Sequence, residues 1–247
     1  MTQHGRAKER TQFTKLARSL FGDNARLGRL GQNGTVTNPR PRLDSAGLRR
    51  ATRHLSAADP VLAGLIREVG PCRLEVRCGG SSFAYLARAI LGQQISVAAA
   101  RSIAGRMRER FGAPLRPEDI LLATDGELHG LGLSRQKVAY LRDLAERTGD
   151  GLPLGRLSRM PDERVIEVLT VVKGVGVWTA QMYLMFRLGR PDVLPVGDLG
   201  IQTAMKRSYP IRGNPKPQRM HRIAAPWRPW RTVACWYLWQ SLDATPT

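Results

Sequence analysis

From about Ser45 onward, apolar residues recur at helical spacing in nearly every segment, and period-two alternation is almost absent. A chain patterned this way lacks the alternating faces that sheets need, so the expected class is all-α. The helices also carry their own punctuation. "ADPVLAGLIREV" opens with a capping Asp59 and with Pro60 in the first turn, where a missing N–H costs nothing. "SSFAYLARAILGQQIS" places Phe83, Leu86, Ala87, Ile90 and Leu91 on one helical face. "VAAARSIAGRMRERFG" is a small-residue helix ending at Gly112. "TDGELHGLGLSRQKVAYLRDLAERTG" is a pair broken at "GLGLS", with Ser134 capping the second. "PDERVIEVLTVV" has Pro161 and acidic residues at its start, as a helix N-terminus favours. "VWTAQMYLMFRLG", "LGIQTAMKRSY", "QRMHRIAAPW" and "WRPWRTVACWYLWQSL" complete the helical series. Only "CRLEVRCGG" is ambiguous, between a short extended piece and a loop.

The tightest break between two of these helices is "KGVG", which makes a helix–hairpin–helix. Gly174 and Gly176 can take backbone angles closed to other residues and let another backbone approach. The N–H groups from Gly176 through Trp178 then begin a helix without intrahelical acceptors. Helped by the helix dipole, they form a site for an anion such as a DNA phosphate. Lys173 adds charge in the turn. Taken alone, the turn also fits an ordinary αα-corner closed by glycine.

The charge balance separates these readings. Lysine and arginine total 39 against 20 acidic residues, a net +19, with a pI near 11.2. Only six of the basic residues are lysine, and arginine's planar fork suits phosphate oxygens. Such a balance points to a polyanionic partner. At 247 residues the chain can bury one large core or two small ones. Residues 1–45, with nine basic and three acidic residues, read as a disordered basic tail before a domain at 46–243. No run is long enough to span a bilayer, and "MTQHGRAKERTQFTKLARSL" has no apolar signal core, so a cytoplasmic protein without membrane partner is expected. Cys72, Cys78 and Cys235 are too scattered for a disulfide framework or a four-thiolate metal site, so free thiols are expected.

Beyond the hairpin, "DVLPVGDLGIQTAMKR" sets Asp198 after Pro195 and Gly197 and before an apolar helix, in N-cap position. Capping aspartates are common, and the position alone does not assign chemistry. The order does: hairpin, Pro/Gly loop, aspartate. "LTVVKGVGVWTAQMYLM" followed by "PVGDLGIQ" resembles the helix–hairpin–helix superfamily of base-excision DNA glycosylases. Within it, "LARAILGQQISVAAARSI", "LGLSRQKVAYLRDLA" and "WRPWRTVACWYLW" resemble the DNA-3-methyladenine glycosylase II family, over roughly residues 46–243.

This resemblance implies two helical subdomains with an active-site cleft between them, the hairpin at about 163–188 and the catalytic loop at about 191–199. It implies a catalytic Asp198 and a base pocket of Trp178, Trp239 and Met182, although plain core packing also accounts for tryptophans. DNA contacts would come from Gln93, Gln94, Ser96, Lys173, Gly174, Gly176, Val177 and Thr179. Gln93 and Gln94 would fill the gap left by a flipped base, a role that competes with helix-end capping. The sequence departs from the pattern at His221, where an acid is more usual, and at Met182, aromatic in some members. The lysine of the bifunctional members falls on Trp178, so no Schiff base is expected, and no metal or cofactor beyond a monovalent cation at the hairpin. The implied activity is a monofunctional N-glycosyl hydrolase acting as a monomer on double-stranded DNA with alkylated bases. A noncatalytic hairpin module, or a glycosylase for another lesion, remains open at this point.

Overall fold

In the computed structural model, residues 42–76 and 80–242 are described, and among them there are helices and no strands. Cys78 and nearly all of the basic 1–45 segment lie outside the described residues. The chain divides into two compact units, one of residues 42–76 and 184–242 and the other of residues 80–183 as far as described.

The first unit begins with α1 (Ser45–Ala58) and α2 (Pro60–Val69). The Asp44 carboxylate accepts from the Gly47 amide, so the helix starts at Ser45. Asp59 caps α2 by accepting from the amides of Val61 and Leu62, with Pro60 in the first turn as expected. The unit resumes in a π-helical turn (Tyr183–Arg187), then α10 (Leu199–Ser208), α11 (Pro217–Ile223), a 3₁₀ turn (Ala225–Trp227) and α12 (Arg231–Gln240). Helix α12 is its centre. Val233, Ala234, Cys235, Tyr237, Leu238 and Trp239 are all buried, so apolar character runs around the whole helix rather than along one stripe. It packs against α1, α2 and α10.

The second unit contains α3 (Ser82–Leu91), α4 (Val97–Phe111), α5 (Pro117–Leu122), α6 (Asp125–Gly130), α7 (Arg135–Gly149), a 3₁₀ turn (Leu154–Arg159), α8 (Asp162–Thr170) and α9 (Val177–Met182). Helix α7 is the spine, packing on α3, α5 and α6 through Val138, Leu141, Leu144 and Ala145. The five residues assigned to one face of α3 are all buried. Each fully buried leucine contributes about 1.5–3 kcal/mol. Ser134 caps α7 by accepting from the Lys137 amide. Lys137 is itself buried and donates Nζ–H to the Leu91 carbonyl, and burial lowers its pKa from the usual lysine range. The second hairpin helix is shorter than the sequence pattern suggests, because regular α geometry gives way to the π turn after Met182. "CRLEVRCGG" has neither helix nor strand over its described residues 72–76.

Candidate active site

The loop 190–198 cannot be helical, since Pro191 and Pro195 lack the donors a helix requires. Much of it is nevertheless buried, so its backbone groups need partners. Helix α12 supplies them. Thr232 Oγ1 donates to the Arg190 carbonyl at 2.6 Å and accepts from the Val193 amide at 3.1 Å. The Thr232 amide donates to the Pro191 carbonyl at 2.9 Å. Arg231 grips Asp192 with a bidentate fork, Nε to Oδ1 at 2.6 Å and Nη2 to Oδ2 at 2.9 Å. The loop is thus fastened at successive points to the most buried helix of its unit.

At the end of that loop the Asp198 amide closes a turn onto the Pro195 carbonyl. Its carboxylate caps α10, and Oδ1 accepts both the Ile201 amide at 2.8 Å and the Trp239 indole N–H at 3.0 Å. Asp198 is 7% exposed. Trp239 stands in turn against Phe186, with ring centroids 6.0 Å apart. Gly200 lies close against this pair. A Cβ there would meet Asp198 Oδ1 at 3.0 Å and Trp239 Cδ1 and Nε1 at 3.1 Å. Cys235 is fully buried, and burial followed by the nearby Asp198 charge pushes its thiol well above the usual range. It therefore behaves as a small apolar side chain. Cys72 and Cys235 are free, and burial pushes Cys72 up to about 12.

The hairpin in the second unit is built by different means. Gly174 has φ +80°, and a Cβ there would lie 2.1 Å from Cδ2 of the Tyr140 ring, so both conformation and space require glycine. Gln93 Nε2 donates to the Gly174 carbonyl at 2.8 Å, bracing the turn from the loop after α3. The Lys173 amide donates to Asp143 Oδ2 at 2.8 Å, the same oxygen that accepts Arg147 Nε at 2.8 Å. Burial pushes the Asp143 carboxyl up, but these donors and the Arg147 and Lys173 charges outweigh it, and the net shift is below the ordinary value.

Gly176 corrects the sequence reading. Its φ of −89° and ψ of 175° are open to any residue, and nothing lies within 4 Å of a Cβ built there. No conformational or intramolecular packing requirement explains this glycine. No side chain caps α9, and Gly176 and Val177 are exposed at its start.

The remaining expected site residues fall in several environments. Lys173 extends into solvent, with Nζ 3.5 Å from Asp143. Gln94 is exposed and has φ +57°, the one positive value at a non-glycine among the described residues. Ser96 caps α4 by accepting from the Ala99 amide. Trp178 is half-buried and Thr179 buried. Met182 has no exposed surface. Asp143, Tyr140, Gly200, Thr232 and the Arg231–Asp192 pair were not legible as site-building residues.

Among the described residues no group of three or more His, Cys, Asp or Glu side chains could hold a metal ion. No described helix is long and apolar enough to cross a membrane.

The HhH-GPD superfamily of base excision DNA repair proteins matches residues 87–229, a span that includes the hairpin and Asp198. An alkylbase DNA glycosidase-like protein of Schizosaccharomyces pombe is 32% identical over 201 residues, 78% of this chain and 92% of its own length. A crystal structure of a DNA-3-methyladenine glycosidase from Bacillus halodurans is similar at 35% identity and TM-score 0.71, covering 78% of this chain and 89% of that one. The S. pombe 3-methyladenine DNA glycosylase in complex with abasic DNA aligns at 31% identity and TM-score 0.68, covering 79% and 98%. With the family spanning more than half the chain, including the hairpin and Asp198, this protein belongs to the HhH-GPD superfamily of base excision DNA repair proteins.

Proposed function

We propose that the chain is a monofunctional DNA glycosylase that turns alkylated bases of the 3-methyladenine and 7-methylguanine type out of duplex DNA and hydrolyses their N-glycosidic bond, in base excision repair. The observation that carries this reading is the buried carboxylate of Asp198, oriented by the Ile201 amide and the Trp239 indole N–H. The relatives named as 3-methyladenine glycosylases support the substrate class.

Cleaving the bond develops positive charge on the sugar, as in an oxocarbenium ion. A preorganised carboxylate stabilises that charge without reorganisation at the moment of reaction. An alkylated purine already carries positive charge and departs without a general acid, so one carboxylate is sufficient. An indole face such as that of Trp178 favours a cationic base by about 0.5–2 kcal/mol. Because Trp178 stands where a lyase would have lysine, no amine at that place forms a Schiff base. The enzyme acts in the cytoplasm as a monomer on double-stranded DNA, with the hairpin amides at Gly176 and Val177 against a phosphate.

The test is incubation with methylated duplex DNA and chromatography of the released bases, alongside borohydride trapping. Release of 3-methyladenine with no trapped adduct is expected. Release of a deaminated or mismatched base instead would move the substrate class. DNA binding without any release would leave a noncatalytic hairpin protein, and a trapped adduct would overturn the monofunctional assignment.

A further inference from the structure

From Leu199 to Leu242 the chain has no Asp or Glu, yet it carries eight Lys and Arg residues. Arg228 and Arg231 face Asp192, at 3.9 and 2.6 Å. The other six, Lys206, Arg207, Arg212, Lys216, Arg219 and Arg222, are exposed. Among the described residues none of the six forms an ion pair. In the second unit five arginines have acidic partners. There Arg110 pairs with Glu127, Arg116 with Asp119, Arg142 with Asp125, Arg147 with Asp143 and Arg164 with Glu167.

The six cations lie within residues 206–222. Lys206 and Arg207 occupy the last turn of α10, and Lys216 stands at the N-cap position of α11 without a side-chain cap, the helix itself carrying Arg219 and Arg222. Tyr209, just past α10, donates to Asp59 Oδ2 at 2.8 Å, and Trp227, just past α11, donates to the same oxygen at 2.7 Å. Their rings lie 6.0 Å apart. Both ends of the segment 209–227 are therefore fastened to one buried carboxylate. Asp59 Oδ1 is meanwhile occupied by the Val61 and Leu62 amides, and the residue is 7% exposed, so its charge is held inside rather than displayed. On α11, Met220 points into the core while Arg219, His221 and Arg222 face solvent. A surface serving solubility alone intersperses both signs. A one-sign cluster repels itself unless a partner neutralises it.

We propose that Lys206, Arg207, Arg212, Lys216, Arg219 and Arg222 form a second phosphate-contact surface for duplex DNA, separate from the hairpin, that grips the backbone regardless of sequence or lesion. The proposal rests on the DNA-directed reading above and adds to it a site on the unit that carries Asp198. Contacts of this kind position the protein and carry no base information.

The test is the salt dependence of binding to an undamaged duplex for the full chain and for Lys216→Gln/Arg219→Gln/Arg222→Gln. Each lost phosphate contact lowers the slope of log affinity against log salt by about 0.9, so a decrease of roughly 2–3 is expected. Thermal melting should be unchanged because the side chains are exposed. Single-turnover base release at saturating enzyme should also be unchanged. A slope equal to that of the parent protein overturns the surface, and an acidic protein as the true partner would give that result. A parent protein that releases no base, while the triple variant still loses slope, refutes the glycosylase reading and keeps this one.

Discussion

The indole N–H of Trp239 donates to Oδ1 of Asp198 across 3.0 Å, and the two residues are 41 positions apart in sequence. The bond orients the carboxylate about its χ angles, which the backbone cap at Ile201 alone does not fully fix. Trp239→Phe keeps an aromatic ring against Phe186 and removes the donor. A hydrogen bond to a charged group contributes about 1.5–3 kcal/mol, so base release in single turnover should fall roughly tenfold to a hundredfold. Duplex affinity should stay close to that of the parent protein. Unchanged release would show that the cap suffices.

Gly200→Ala tests the same arrangement from the other side. Alanine is the better helix former by up to about 1 kcal/mol, so a glycine of no consequence would gain stability on substitution. Here the new Cβ meets Asp198 Oδ1 and Trp239 at 3.0–3.1 Å, so one of them must give by a few tenths of an ångström. A misplacement of about 1 Å can cost about a hundredfold, so this smaller shift should cost less than that. Reduced release without a rise in melting temperature is expected. A stabilised, fully active variant would remove Gly200 from the site.

These two residues show where sequence reading stops. The cap at Asp59 and Pro60, the buried face of α3 and the cap at Ser134 were legible because each is decided within one turn of helix. Asp198 was legible as a cap for the same reason. Its contact with Trp239 was not, because a pairing across 41 positions leaves no local period. Helix α5 and the 3₁₀ turn at Leu154–Arg159 have six residues each, too few to display a periodicity. The two hairpin glycines look alike in sequence, and only their dihedrals separate them.

That separation is itself testable. Gly174→Ala forces a side chain into left-handed geometry, costing about 1–2 kcal/mol, and drives its Cβ into Tyr140. Its melting temperature should drop clearly. Gly176→Ala meets neither obstacle, so it should melt as the parent does while binding every duplex more weakly, as expected where a phosphate approaches the backbone. Equal effects of the two substitutions on melting would contradict the assignment.

Asp143 makes the hairpin brace sensitive to acid. Its folded pKa lies below the unfolded value of about 3.9, so its contribution to stability is fully present above that value and is lost as pH falls through the folded pKa. Asp143→Asn keeps an acceptor for the Lys173 amide but has no charge, and should cost about 1 kcal/mol at neutral pH. The gap in melting temperature between parent and variant should close as pH falls through the folded pKa. A gap that persists unchanged at the acid end would mean the charge is not the source.

Asp198→Asn decides between a cap and a catalyst. Asparagine caps helices about as well as aspartate, and its side-chain oxygen can still accept from the Ile201 amide and the Trp239 indole. Shape and hydrogen bonds therefore persist while the negative charge is removed. If the carboxylate serves only α10, melting and activity should both remain near those of the parent. If it stabilises the oxocarbenium ion, the loss falls on the chemical step alone, since the charge matters more in the transition state than in the bound ground state. A reduction of roughly two to four orders of magnitude suits one preorganised group. Single-turnover release of 3-methyladenine measures it, with melting and duplex affinity recorded for the same preparation. A folded, DNA-binding variant that releases base at the parental rate would return Asp198 to a purely structural role.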